Sequence, residues 1–312
     1  MASFFTKYVG KYGIARSCDI CPSFLQSDTE SIDEADYEKV DMYSTVYVQA
    51  SALKVWFKAV YPVLKSKSLK IILVTGDAVV SAPLAAIGLS NPIEIDVIRR
   101  DGVILHWFAQ NCDLPGNPFI TPIPLGIDFH SMHARPIWGE QKTSYLEQDQ
   151  LLDRLGCRGR DNWEKKSYKI VCDAHLTAAT NCVDRSAAFS HFKDLPSVLL
   201  LPTQLPRSDF WRLIVSSKFI VSPLGAGFDC HRTWEALILG AVPIIRKTTI
   251  SPVFDGLPVL QVNQYADVTA ESLQSYAYPP HIKEYRLTLG YWIGKIASMQ
   301  DSFRNALTCT WA

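Results

Sequence analysis

The chain of 312 residues has no excess of either charge: 31 Lys and Arg stand against 31 Asp and Glu. Without such an excess there is no long-range attraction to a phosphate backbone, so a nucleic-acid binder is disfavoured. The same neutrality favours self-association, and an oligomer is compatible with it. Long hydrophobic runs are also missing. A secretory signal needs an apolar stretch of about 7–15 residues and a membrane span about 20, and in the opening segment charges arrive before any such run develops. The expectation is a soluble, cytoplasmic protein with no membrane span. No phosphate loop of the Gly-x-x-x-x-Gly-Lys-Ser/Thr type accompanies the Asp33-Glu34-Ala35-Asp36 string, so the ATPase that this string would spell is excluded. Cys18 and Cys21 form a lone Cys-x-x-Cys, with no second pair at zinc-ligand spacing and with Pro22 where a redox motif would open a helix. The eight cysteines read as reduced thiols, buried or incidental. There is no internal repeat and no low-complexity tract.

What is present is material for packed cores: 48% of residues are hydrophobic and 20% charged, which excludes a disordered chain, and the length predicts two domains. In the first half, Leu53, Trp56, Phe57, Val60 and Leu64 recur at helical spacing within 47–64. The run Leu69–Thr75, closed by Gly76-Asp77, predicts a buried parallel strand, and Ile93–Ile98 and Ile120–Ile123 predict two more. The second half predicts strands at Tyr168–Cys172, Val198–Leu201, Phe219–Ser222, Val242–Ile245 and Val259–Val262. Helices are predicted between them at Asp184–Phe192, Ser208–Val215 and Asp229–Leu239. Strands alternating with helices predict parallel, doubly wound sheets. The polar stretch from Gly139 to Lys166 reads as a linker, and His281–Leu307, after Pro279-Pro280, as a long helix returning to the first domain. The expected division is an amino-terminal domain at 1–150, joined by about 290–312, and a carboxyl-terminal domain at 151–289.

The segment from Phe219 to Leu237 carries the chemistry. A strand runs into Ser222, a loop holds Gly225 and Gly227, and a helix opens near Asp229. Glycines let backbone approach a ligand, and the free N–H groups of a following helix favour an anion there, phosphate above all. The third glycine of a dinucleotide fingerprint is absent, since Cys230 occupies its place. Trp234, Leu237, Ile238 and Ala241 define one buried helix face, leaving His231, Arg232 and Glu235 together near the loop. Arg232 can neutralise a diphosphate and Glu235 can accept hydrogen bonds from a ribose diol. The plainer alternative is a surface Arg–Glu pair beside an ordinary turn.

The string Ser-Pro-x-Gly-x-Gly-x-Asp-Cys-His-Arg-Thr-Trp-Glu-Ala-Leu from Ser222, followed by Leu239–Ile245 and Phe254–Leu260, resembles the donor-binding motif of exostosin-like glycosyltransferases. His106–Asn111 and Ile123–Asp128 are similar to companion motifs of soluble relatives. The resemblance is specific over Ser222–Leu260, softer over Leu69–Asp128 and absent before Met42. With no membrane anchor expected, the chain is more similar to the compact forms of microbes and large algal DNA viruses, which would place it in a host cytoplasm. The resemblance implies a GT-B architecture: two Rossmann-like domains with a cleft between them, the carboxyl-terminal one holding a UDP-sugar and the amino-terminal one a glycan acceptor. It further implies inversion without a metal or other cofactor, and xylose is the first expectation for the sugar, from related xylosyltransferases. The sequence has no Asp-x-Asp to hold a divalent ion, and Gly227 and Pro243 stand eight positions either side of Glu235, where many retaining enzymes have a second glutamate.

Such a reaction needs cations for the departing diphosphate and a base for the acceptor hydroxyl. Arg232, Arg185 and the N–H groups around Gly225–Gly227 are the expected cationic set. Asp77, at the end of a buried strand where ligands collect, is the expected base, with helix capping as its structural alternative. Asp128 and His130 stand in reserve. Trp107, Gln110 and Asn111 are expected on the acceptor side, and His175 and Thr177 beside the donor. The same features also fit a non-catalytic nucleotide- or glycan-binding subunit, or another enzyme of UDP-sugars such as an epimerase or phosphorylase.

Overall fold

The computed structural model describes residues 5–160, 163–166, 168–173, 182–201 and 203–308. It is a mixed α/β protein with two wholly parallel sheets, compatible with a Rossmann-like fold, and the chain divides into two compact units. Among the described residues no helix is long and apolar enough to cross a membrane.

One unit comprises Lys11–Leu125 and Leu289–Ala312. Its sheet holds β1 (Thr45–Gln49), β2 (Ile71–Gly76), β3 (Ile104–Gln110) and β4 (Ile120–Ile123), paired in chain order. Every residue of β1 and β2 is buried, as strands covered on both faces require. The predicted helical stretch at 47–64 therefore begins as a strand, and the helices follow at Leu53–Ala59 and Tyr61–Ser66. The strand predicted at Ile93–Ile98 is a helix, Glu94–Asp101. Its alternation is incidental: only Ile95 is buried, Glu94 and Asp96 sit in the first turn, Arg99 and Arg100 in the last, and Gly102 ends it at φ +68°. The carboxyl-terminal helix, Leu289–Thr308, starts later than predicted and belongs to this unit, where it buries Leu289, Trp292 and Ile296. Its Gln300 amide donates to Asp19 Oδ2 (2.7 Å) and to the Tyr43 carbonyl (2.8 Å).

The other unit comprises Met1–Gly10 and Gly126–Thr288. The boundary thus lies after Leu125 and not near residue 150. The stretch read as a linker contains a helix, Tyr145–Arg160, whose start is fixed by Ser144 and Glu147 bonding each other's backbone N–H. Residues before Gly10 are tied in by Val9, which donates to Leu287 and accepts from Ile127. The sheet holds β5 (Tyr168–Cys172), β6 (Val198–Leu200), β7 (Ser217–Val221), β8 (Val242–Arg246) and β9 (Leu260–Val262), in the order β6-β5-β7-β8-β9. Ile170 pairs with Phe219 and Cys172 with Val221, while Val198 flanks Ile170 on the other side. The chain therefore winds one way from β5 to β6 and the other way from β7 onward. That reversal leaves a crevice beyond the carboxyl ends of β5 and β7.

Candidate functional site

Asp173 follows β5 directly, and β7 leads through residues 222–230 into the helix His231–Ile238. Around the reversal point lies a cavity of about 280 Å³, lined among others by Asp128, Trp138, Asp173, Arg185, Phe210 and Arg232. His231, Glu235 and Arg207 complete its charged wall.

Arg232 stands in the first turn of its helix. Its Nη2 donates to Asp173 Oδ2 at 3.0 Å, and its guanidinium carbon lies 5.8 Å from the Phe210 ring centre. The buried Nε has no hydrogen-bond partner among the described residues. Burial opposes the charge, but Asp173, aided by Cys230 and Glu235, outweighs it and holds the guanidinium above its ordinary pKa. Arg207 is the more deeply fixed. It donates to Glu235 Oε1 (2.9 Å), the Asp128 carbonyl (2.7 Å) and Gln148 Oε1 (3.0 Å). Its guanidinium also lies 4.5 Å from the Trp211 ring centre and 5.0 Å from that of Trp138. A delocalised cation suits this combination of stacking and forked donation.

Asp128 forms the third charged group. Its oxygens accept from Ser131 N (2.9 Å) and Ser131 Oγ (2.7 Å), while His130 Nδ1 lies 2.6 Å away and His231 Nε2 4.0 Å away. Burial alone would raise the carboxyl pKa. The close approach of His130, with the charges of both histidines and the Ser131 N–H, overcomes that and holds it well below the usual carboxylate range. His231 Nδ1 meets the Gly126 carbonyl at 2.7 Å, so Nδ1 carries the hydrogen and Nε2 is the basic nitrogen. Gly126 itself has φ +73°, and a Cβ there would collide with the Val9 carbonyl.

Of the expected donor-side residues, Arg185, His231, Arg232 and Glu235 line this one cavity. Arg232 and Glu235 do not pair with each other: each has a different partner, Asp173 and Arg207, and Glu235 already spends one oxygen on that bond. Ser222 and Gly225 are not in the lining. The Ser222 hydroxyl is buried against Thr233 Oγ1 (2.9 Å) and Cys230 Sγ (3.1 Å), fastening the loop to the first helical turn. A Cβ on Gly225 would meet the Asp229 carbonyl at 2.6 Å, so its smallness serves the turn. Gly227 is half-buried and likewise outside the lining. The loop is held from the other side by Asp184, which accepts from Leu224 N and Tyr265 OH (2.9 Å each) and from Arg246 (3.2 Å). His175 and Thr177 lie outside the described residues.

The expected catalytic and acceptor residues of the other unit are buried and engaged by their neighbours. Asp77, at φ +54° after β2, is 2% exposed. Its Oδ1 accepts from Lys11 Nζ (2.5 Å) and Ser27 Oγ (2.9 Å), and its Oδ2 from Gln49 Nε2 (3.3 Å). Trp107 is a core residue with no exposed surface, its indole donating to Thr75 Oγ1 at 3.0 Å, so it offers no face to a sugar. Gln110 Oε1 accepts from the Asp77 N–H, and Asn111 Nδ2 donates to the Ala78 carbonyl, at 3.0 Å each. Both amides brace the turn after β2. Cys18 is buried, and burial pushes the Cys21 thiol up to about 11, unlike a reactive cysteine. Among the described residues no group of three or more His, Cys, Asp or Glu is placed to hold a metal ion.

Sequence reading passed over Asp173, Arg207, Trp138 and Phe210. For Asp173 the signal was there: it follows a buried strand as Asp77 does. Trp138 and Phe210 reach the cavity through long-range packing that spacing along the chain does not encode. Compared with known proteins, the chain matches no family model and no curated sequence.

Proposed function

We propose that the cavity at the β5–β7 reversal binds the diphosphate of a nucleoside diphosphate sugar, and that the protein is a glycosyltransferase. The observation that carries this is the meeting of Arg185 and Arg232 on one cavity, with the Arg232 Nε buried and free of any partner among the described residues, at the amino end of a helix. A diphosphate supplies an acceptor for the Arg232 Nε and negative charge opposite both guanidinium groups. The exostosin-like motif supports the narrower reading: a two-domain GT-B enzyme that transfers a sugar, xylose first, from UDP to a glycan hydroxyl with inversion and without a metal or cofactor.

In that reaction the acceptor oxygen forms a bond to the anomeric carbon as the bond to the diphosphate oxygen breaks. The electron pair leaves on the diphosphate, stabilised by Arg185 and Arg232, and the hydroxyl proton passes to a base. Asp77 is poorly suited, because Lys11, Ser27 and Gln49 already engage its carboxylate. We assign the base to His231 Nε2, where the neighbouring Asp128 carboxylate steadies the imidazolium that forms. Stacking of the uracil or sugar ring on Phe210 or Trp138 would complete the grip.

The test is UDP release from a panel of UDP-sugars, with and without chelator, alongside calorimetric UDP binding. Turnover that survives chelation and fails in His231→Ala is the expected result; turnover that chelator abolishes would overturn the metal-free mechanism. The engagement of Asp77 favours one second reading, a non-catalytic nucleotide-binding subunit, and UDP binding without turnover of any donor would select it.

A further inference from the structure

The five-stranded sheet has a second cavity at its opposite edge, where β5 and β7 begin, and with about 530 Å³ it is larger than the first. Its walls include Trp163, Ile170, Phe219 and Tyr276, and its rim includes Lys166 and Lys218. Trp163, 8% exposed, meets Phe219 edge-on at 5.6 Å and Tyr276 at 6.1 Å. Both ammonium groups converge on the same indole, Lys218 at 5.3 Å and Lys166 at 6.0 Å from its centre. They differ in their counter-charges. Lys218 pairs at 3.4 Å with Glu164, a well-exposed carboxylate. Lys166 has its ammonium hydrogen-bonded to the Val215 carbonyl at 2.9 Å, and among the described residues no carboxylate lies within ion-pair distance of it.

A half-buried ammonium facing an aromatic cavity without an anion is costly, and the cost is removed when an anion enters. We infer that this cavity is a binding site for a small aromatic or alicyclic monoanion, its flat apolar body against Trp163, Phe219 and Tyr276 and its carboxylate or sulfonate on Lys166. The volume lies in the range of small-molecule sites, about 300–1,000 Å³. A neutral ligand would leave Lys166 as it is, and a polyanion such as a nucleotide would bring more charge than two lysines beside Glu164 can match. Burial holds the Lys166 pKa down at about 8, which an anionic occupant would reverse. The site stands apart from the diphosphate cavity: Lys166 precedes β5 and Asp173 follows it, so the strand separates them by roughly 16 Å at about 3.3 Å per residue.

The experiment is calorimetric titration of the full chain with 2-naphthoate, with its neutral counterpart 2-naphthamide as control. Naphthoate should bind saturably, with naphthamide weaker by about tenfold or more, the effect of one charge-assisted hydrogen bond. Lys166→Met should weaken naphthoate to the naphthamide level, while UDP binding stays as in the parent protein. Ala270→Trp, which adds bulk at another lining position and leaves both lysines in place, should abolish binding of both compounds. Absence of saturable naphthoate binding, equal affinity for the two compounds, or naphthoate binding that survives Lys166→Met or Ala270→Trp would each overturn the assignment.

Discussion

Each unit buries an ion pair at the carboxyl end of a parallel strand, yet the two pairs serve opposite ends. After β2, Lys11 and Asp77 have side chains only 8% and 1% exposed, and their polar atoms are shared with Ser27 and Gln49. After β5, Asp173 and Arg232 are nearly as buried, at 8% and 13%, but the guanidinium keeps an Nε without a partner among the described residues and borders open volume. Strand-end position and burial are common to both and so decide nothing. What separates them is saturation of the pair itself: both oxygens of Asp77 are engaged, whereas the Arg232 Nε has no partner among the described residues. Topology explains the difference. The four-stranded sheet follows chain order, so the loops after its strands pack on one another, whereas the reversal between β5 and β7 parts the loops and leaves a crevice.

The largest effect should come from breaking the closed pair. Lys11→Met leaves the Asp77 carboxylate buried without its cation, and urea unfolding should show a loss of about 3–5 kcal/mol. UDP affinity, measured at a temperature where the variant is folded, should stay unchanged. A loss of UDP binding by the folded variant would mean that the Asp77 network is itself part of a site. The open pair should lose ligand as well as stability. Arg232→Ala should lower UDP affinity by roughly 30-fold to 100-fold, the loss of one or two charge-assisted hydrogen bonds, and should also cost stability, up to about 3 kcal/mol, because Asp173 is left buried without its cation. Calorimetry on this variant and on Arg185→Ala separates the two quantities.

Asp128 gives the comparison a pH axis. Its folded-state pKa is depressed, so its stabilisation is fully present above the unfolded value of about 4 and is lost as pH falls toward the folded one. At pH 7, Asp128→Asn should be less stable than the parent by about 2–3 kcal/mol, and the gap should close progressively below about pH 4. Unfolding midpoints in urea between pH 7 and pH 2 test this. A gap that stays constant with pH would remove the histidine contacts as its cause.

Much of the five-stranded unit was legible in the sequence, because its strands are short apolar runs; the Trp234–Ala241 spacing also assigned the helix an orientation, although the helix is buried on every side from Thr233 to Ile238 and not on one face alone. That orientation placed Arg232 and Glu235 on the same side as the glycine loop, and the structure puts both on the cavity. The other unit was harder to read. β1 runs straight into helical residues, and β3 carries His106 and Gln110 inside a buried strand, satisfied by Thr121 and by the Asp77 N–H. A polar residue at a strand end looks alike whether it braces a turn or faces a ligand, and only its partners tell the two apart. Those partners lie up to dozens of residues away: 66 positions separate Lys11 from Asp77 and 59 separate Asp173 from Arg232.

The smallest effect, and the sharpest test of that distinction, comes from two aromatic residues. Trp107 was expected to present a face to a sugar, but it is enclosed, and its single polar atom is spent on Thr75. Trp107→Phe should therefore cost about 1–2 kcal/mol in unfolding, from the lost hydrogen bond and the small void, and leave UDP affinity as it was. Phe210 is half-exposed on the cavity and near Arg232. Phe210→Ala should cost little stability and weaken UDP by about threefold to tenfold, since a stacked ring contributes about 0.5–1.5 kcal/mol. If Trp107→Phe weakened UDP and Phe210→Ala did not, saturation would fail as the criterion that tells a brace from a site, because the enclosed indole would be the one reporting on the ligand.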